Sequence, residues 1–272
     1  MILLASPSNK YTWMMTDTFS ALCLISLIKK IYIVKNLEDM MHLEGKVALI
    51  AGATGGLGRV VSRIFAENGA SLVLVGSKQD KLDQLVMDLN LSEQQYLTVV
   101  ADLSQETAAP KILEAALEKF NHVDILLNFV GGWIGGKSIT DTTNEELSSM
   151  IQQHLWTTFY LVRAFVPHMR ANQWGRVMIV SAPSVAHPQA YGLPYNVGKS
   201  AQEALMMTLA QELIDSGVTS NVLRVRAINT SHNLTQQNKS WATPEEITAA
   251  ILYLCSDEAH KINGAIIPLL GS

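Results

Sequence analysis

Cysteine is nearly absent from this chain of 272 residues, which carries thiols only at Cys23 and Cys255. Two thiols so far apart exclude a disulfide framework and a cysteine zinc site, so no metal is expected and a reducing, cytoplasmic setting is. Charge is sparse as well. Charged residues make up 16% of the chain, the net charge is −4, and lysines and arginines are scattered, which excludes nucleic acid and anionic membrane as principal partners. Long apolar runs are also missing. The run from Ala21 to Val34 is broken by Lys29 and Lys30 and falls short of the ~20 residues that cross a bilayer, so no membrane span is expected. The basic residues follow that run instead of preceding it, which argues against a signal peptide.

What the chain has is apolar material, 48% of its residues, enough for one large core. Residues 1–44 differ in character from the remainder and read as an N-terminal extension, either dispensable or a mis-assigned start, with Met40 or Met41 as a natural beginning. A surface or partner-binding helix is the other reading of that segment. Residues 45–272 read as a single domain.

From Lys46 onward, short apolar runs alternate with helical periodicity, the pattern of a parallel sheet covered on both faces by helices. Strands are expected at Val47 to Ala51, Ser71 to Val75, Tyr96 to Ala101, Val123 to Phe129, Val177 to Ser181, Ser220 to Ile228 and Ala265 to Leu269. The expected helices include Arg59 to Asn68, a long one from Glu145 to Arg170, and one from Pro194 to Asp215. Thr243-Pro244-Glu245-Glu246 is a capping box that opens a further helix.

Gly52-Ala53-Thr54-Gly55-Gly56-Leu57-Gly58 falls between the first strand and the first helix. Glycines there permit a tight turn and close approach of a diphosphate, whose charge the helix N-terminal amides stabilise. A plain strand-to-helix connection is the competing reading. At the end of the second strand a carboxylate would bind the ribose hydroxyls of NAD; the residues present are Ser77 and Lys78, which favour NADP(H) over NAD(H) by offering contacts to a 2′-phosphate. Lys78 also fits as a solvated residue at a helix start. Farther on, Tyr195 and Lys199 stand four apart, on one face of a helix. An ammonium beside a phenol favours its ionised form, one way to make a proton donor for a carbonyl. Tyr-x-x-x-Lys also occurs on helices with no such role, and its weight here comes from the glycine turn upstream.

The order of elements and these motifs resemble the short-chain dehydrogenase/reductase family over nearly all of Gly45 to Ser272. Gly52, Gly56 and Gly58 match the family's cofactor turn, Asp102 and Leu103 its adenine-contacting pair, and Asn128 to Gly131 a degraded form of the segment after its fourth strand. Tyr195 and Lys199 match its catalytic acid and ribose-binding lysine. The resemblance implies a Rossmann-type doubly wound α/β domain of about seven strands. It further implies a small carbonyl or alcohol substrate, Thr230 near the carboxamide, and a homodimer or homotetramer.

Three positions depart from the family pattern. Ala182 stands 13 residues before Tyr195, where the family has a serine that orients the substrate oxygen; Ser184 fits that role if the spacing is shortened, and equally fits a loop-satisfying role. His154 replaces the asparagine that holds a water on the proton route, either as a relay or as a hydrogen-bonded structural residue. Val225-Arg226 replaces Pro-Gly after the sixth strand, the stretch Ser231 to Ala242 reads as a reduced lid, and Trp133, His187, Tyr191 and Trp241 are candidate pocket residues. The expected function is therefore an NADP(H)-dependent carbonyl reductase or alcohol dehydrogenase. A nucleotide-binding protein with little or no catalysis, a sensor or silent oligomer partner, is the alternative.

Overall fold

The computed structural model describes residues 42–231 and 241–270. The chain divides into two units, Met1–Met41 and His42–Ser272. The expectations for the N-terminal extension, and for most of the reduced lid, lie outside the described residues.

Seven strands form one parallel sheet: β1 Val47–Ala51, β2 Ser71–Gly76, β3 Tyr96–Val100, β4 Ile125–Asn128, β5 Gly175–Ser181, β6 Val218–Val225 and β7 Ile266–Leu269. Their order is β3-β2-β1-β4-β5-β6-β7. Among the described residues, seven α-helices connect them: α1 Gly56–Glu67, α2 Gln79–Leu89, α3 Ala108–Phe120, α4 Asn144–Ile151, α5 Thr157–Ala171, α6 Leu193–Glu212 and α7 Pro244–Cys255. The central strands bury both faces, which explains why they read as continuous apolar runs. Side chains alternate across β1: Ala48 and Ile50 pack under Val61 and Phe65 of α1 and Ile251 of α7. Val47 and Leu49 face the opposite layer, with Ile112 of α3, Phe165 of α5 and Met206 of α6.

The expected strands hold, their ends shifted by up to three residues, and two of the shifts are instructive. Val123 and Asp124 precede β4; the Asp124 amide donates to the Val47 carbonyl at 2.9 Å, and its carboxylate accepts from the Val47 amide at 2.9 Å. β6 ends at Val225 and not at Ile228; the chain then leaves the sheet, and Ile228 forms an isolated bridge with Ala242.

The expected single helix from Glu145 to Arg170 is interrupted. Gln152–Trp156 is a π-helical turn, closed by the Thr157 amide donating to the Gln152 carbonyl. Hydroxyls satisfy the carbonyls beside it: Thr157 Oγ1 donates to the Gln153 oxygen at 2.5 Å and Thr158 Oγ1 to the His154 oxygen at 2.6 Å. Such turns re-aim side chains. Here the side chain that is turned inward is His154, 1% exposed.

Candidate active site

Strand order reverses between β1 and β4, and the crevice beyond their carboxyl ends is where an open α/β sheet binds ligands. Gly52 makes the turn out of β1 at φ +81°, and a Cβ there would stand 3.1 Å from the Phe129 carbonyl carbon. Gly55, the N-cap of α1, brings no side-chain oxygen to the first helical amides. A cleft of about 400 Å³ opens over this turn, walled by Gly52, Gly55, Gly56, Leu57 and Gly58 on one side and by Asn128, Gly131, His154, Ser181, Tyr195, Lys199 and Thr230 on the other. Two buried polar atoms in that wall, Ser181 Oγ and His154 Nδ1, have no hydrogen-bond partner among the described residues. Uncapped amides at one end and unpartnered polar atoms at the other fit a phosphate-bearing dinucleotide.

The remaining expected cofactor residues lie elsewhere on the same edge. Thr54, buried no further than its half-exposed turn allows, gives its carbonyl to Arg59 Nε at 3.2 Å. Ser77 and Lys78 are exposed immediately beyond β2, and Asp102 follows β3, so these positions share the carboxyl edge of adjacent strands. Asp102 accepts from the Ser104 amide at 3.0 Å and from Gln105 Nε2 at 3.3 Å; bonding to Ser104 is the main cause holding its carboxyl below the usual range. Leu103 is buried in the core beside α3.

Lys199 is anchored. Its ammonium donates to the Val180 carbonyl at 2.7 Å and to Gln202 Oε1 at 2.9 Å. Gln202 Nε2 in turn donates to Thr158 Oγ1 at 2.8 Å, and Asn128 Nδ2 donates to the same oxygen at 2.9 Å. Asn128 Oδ1 then accepts from the Val130 amide at 3.0 Å, so one buried network ties α6, α5, β4 and β5 together. Burial pushes the Lys199 ammonium down to about 7, against the upward pull of Glu203. The Tyr195 phenol is pushed up by its burial. The sequence placed an ammonium beside this phenol to lower it; here the ammonium serves Val180 and Gln202, and its charge is itself weakened by desolvation.

His154 packs edge-on to the Tyr195 ring, with centroids 5.5 Å apart, and its Nε2 meets the Gly132 carbonyl at 3.2 Å. Burial first, and the Lys199 charge second, hold its pKa down to about 3. It is therefore a neutral imidazole near pH 7, donating from Nε2 and leaving Nδ1 as an acceptor on the cleft wall.

A second cavity of about 640 Å³ adjoins the cleft. Tyr195, Ala182 and Ser184 line it, and so do the expected Trp133, His187 and Tyr191, whereas Trp241 does not. Ser184 sits within a short 3₁₀ turn, Pro183–Val185, and its buried hydroxyl has no partner among the described residues. The sequence reading missed Gln202 and Thr158. Their signal was spacing: Gln202 follows Lys199 by three and Thr158 follows His154 by four, the helical neighbours of residues already singled out.

A dinucleotide cleft that shares a tyrosine with an adjoining substrate-sized cavity defines a class, the nicotinamide-dependent oxidoreductases built on a doubly wound sheet. Comparison with known proteins sharpens this: residues 46–241 match the short chain dehydrogenase family, and the chain belongs to it. A Pseudomonas putida protein, 1,6-dihydroxycyclohexa-2,4-diene-1-carboxylate dehydrogenase, is 30% identical over 254 residues, 85% of this chain and 93% of that one. The crystal structure of L-sorbose reductase from Gluconobacter frateurii, complexed with NADPH and L-sorbose, superposes with a TM-score of 0.77 at 26% identity, covering 86% of this chain and 98% of the other. A 3-ketoacyl-(acyl-carrier-protein) reductase from Brucella melitensis, complexed with NADH, has a TM-score of 0.75 at 26% identity, covering 83% and 97%. The reaction class follows from family and fold: hydride transfer to or from a nicotinamide cofactor.

Proposed function

We propose that the protein interconverts a carbonyl and an alcohol on a small molecule, with NADP(H) preferred over NAD(H). The observation that carries this reading is the position of Tyr195, which lines both the dinucleotide cleft and the adjoining cavity. When bound, the nicotinamide supplies or accepts the hydride. Tyr195 exchanges the proton at the substrate oxygen, Ser184 donates a hydrogen bond to that oxygen, and Lys199, held by Val180 and Gln202, binds the ribose. The oxygen gains or loses one proton as the carbon gains or loses one hydride. His154 holds a water through Nδ1 on the route by which the proton is replenished.

Ser77 and Lys78, which stand at the end of β2 in place of a ribose-binding carboxylate, support the cofactor preference. Relatives solved with NADPH and with NADH show that the fold accommodates either. Titration should give tighter binding of NADPH than NADH, and Lys78→Glu should reverse the order; an unchanged order would remove Lys78 from the account. For the chemistry, Tyr195→Phe should lower turnover on a carbonyl panel by ~10²- to 10⁴-fold with cofactor affinity preserved.

The second reading, nucleotide binding with little catalysis, is supported by one observation. Burial raises the Tyr195 phenol and brings the Lys199 ammonium down to about 7, both of which weaken proton transfer in the free protein. Saturating cofactor should add stability, ~2.7 kcal/mol at 100 times its dissociation constant. That shift without turnover on any carbonyl or alcohol would replace the leading reading with this one.

A further inference from the structure

Arg226 is the first residue after β6, where the chain leaves the sheet. It lines both cavities, and only Trp133 and Tyr195 share that position. A molecule whose oxygen reaches Tyr195 from the outer cavity therefore passes beside a guanidinium. Among the described residues, Arg226 is the only permanently charged one in the wall of that cavity, and no carboxylate shares the wall. Two residues earlier, Arg224 is occupied: its Nε and Nη2 donate to the Glu203 carboxylate at 2.9 and 2.5 Å. Arg226, by contrast, makes no hydrogen bond or ion pair among the described residues and is exposed. The rest of the outer wall is largely apolar, with Ala182, Pro183, Ala190 and Tyr191 facing the space.

We infer that Arg226 selects substrates bearing a carboxylate on an apolar body, gripping the anion while the carbonyl or carbinol oxygen reaches Tyr195. A planar guanidinium presents paired donors that match a carboxylate, and the apolar part of the wall accepts a ring or chain. The inference rests on the reading of Tyr195 as the proton-exchanging group, because that reading fixes which end of the substrate lies deepest.

The test pairs keto acids with their methyl esters, beginning with 4-oxocyclohexanecarboxylate, and measures kcat/KM with NADPH for wild type, Arg226→Ala and Arg226→Lys. The acid should be preferred over the ester by about 30-fold, the size of one charge-assisted hydrogen bond. Arg226→Ala should lose that preference with the ester little changed, and Arg226→Lys should retain part of it. Calorimetric titration of the same acid into the protein saturated with NADPH reads binding without turnover. Arg226-dependent binding of the acid in the absence of turnover would sustain the guanidinium's grip on the carboxylate while counting against Tyr195 as the proton-exchanging group. Equal rates and equal binding for acid and ester in the wild type would overturn it. So would a loss of NADPH affinity in Arg226→Ala as large as the loss for the acid, which would place the guanidinium on the cofactor instead.

Discussion

His154 shows how far a single substitution reaches. The imidazole is buried, its pKa is held down to about 3, and its unfolded counterpart titrates near 6.5. Because the folded value is the lower one, the unfolded chain binds the extra proton as pH falls, so this residue's contribution is intact above pH 6.5 and is lost progressively below it, toward pH 3. At pH 5 the loss is about 2 kcal/mol. Urea unfolding between pH 8 and pH 4.5 should show that slope in the wild type and a shallower one in His154→Asn, whatever the variant's stability at pH 8. Equal slopes would mean that the imidazole is already solvated. Ser184 carries the second prediction at this scale. It lines the cavity that Tyr195 lines, and its buried hydroxyl has no partner among the described residues, so Ser184→Ala should lower kcat/KM by ~10- to 100-fold and leave cofactor binding alone. If Ser184→Ala is silent and Ala182→Ser raises the rate, the serine's role belongs at position 182.

At the scale of elements, the decisive contact is between α6 and the junction of α4 with the π-helical turn. Gly198 lies between Tyr195 and Lys199 on α6, and a Cβ there would stand 2.7 Å from the Met150 carbonyl oxygen and 3.1 Å from His154 Cδ2. Two effects of Gly198→Ala oppose each other. Alanine gains about 1 kcal/mol of helix propensity, while overpacking against a backbone oxygen costs ~1–3 kcal/mol. Backbone cannot swing aside as a flexible side chain would, so the clash wins. Gly198→Ala should lower the urea midpoint without changing the slope, and turnover should fall with it as Tyr195 and Lys199 move; a stabilised, active variant would disprove the close approach. This contact also marks the limit of what the sequence disclosed. Alternating apolar runs and helical periods named all seven strands, because burial on both faces leaves a compositional record in Leu72 to Val75 or Ile125 to Leu127. The Tyr195–Lys199 pair was legible because four residues is one helical turn. The π-helical turn was not, since one extra residue in a hydrogen-bonded ring leaves apolar spacing nearly unchanged; only the tandem Thr157-Thr158 hinted that carbonyls needed side-chain donors. Arg226 was seen as a departure from a motif, but its place on the partition between two cavities depends on where β6 ends, which the apolar run to Ile228 disguised.

For the whole molecule, the open question is what covers the outer face of α5. Trp156 is 40% exposed, stacks on Tyr160 at 5.7 Å and meets Phe159 edge-on at 5.8 Å, with the Arg163 guanidinium 5.1 Å from the Phe159 ring. Aromatic and arginine side chains gathered on an outward face have the composition of an interface centre, where tryptophan and arginine dominate the energy. A homodimer through this face is therefore proposed, in line with the homodimer or homotetramer that the family resemblance implies. Stable association requires about 800 Å² buried per partner, more than this patch alone supplies, so the neighbouring surface of α6, including exposed Val197, would have to join it. Trp156→Glu places a charge at the centre of that surface and should weaken association by at least ~30-fold, a hot-spot loss of 2 kcal/mol. Sedimentation velocity at micromolar concentration should then show a dimer for the wild type and a monomer for the variant. Trp156 lines neither cavity, so the variant should keep its thermal shift with NADPH, which separates loss of assembly from loss of fold. A wild-type monomer at that concentration would leave the aromatic face without this role.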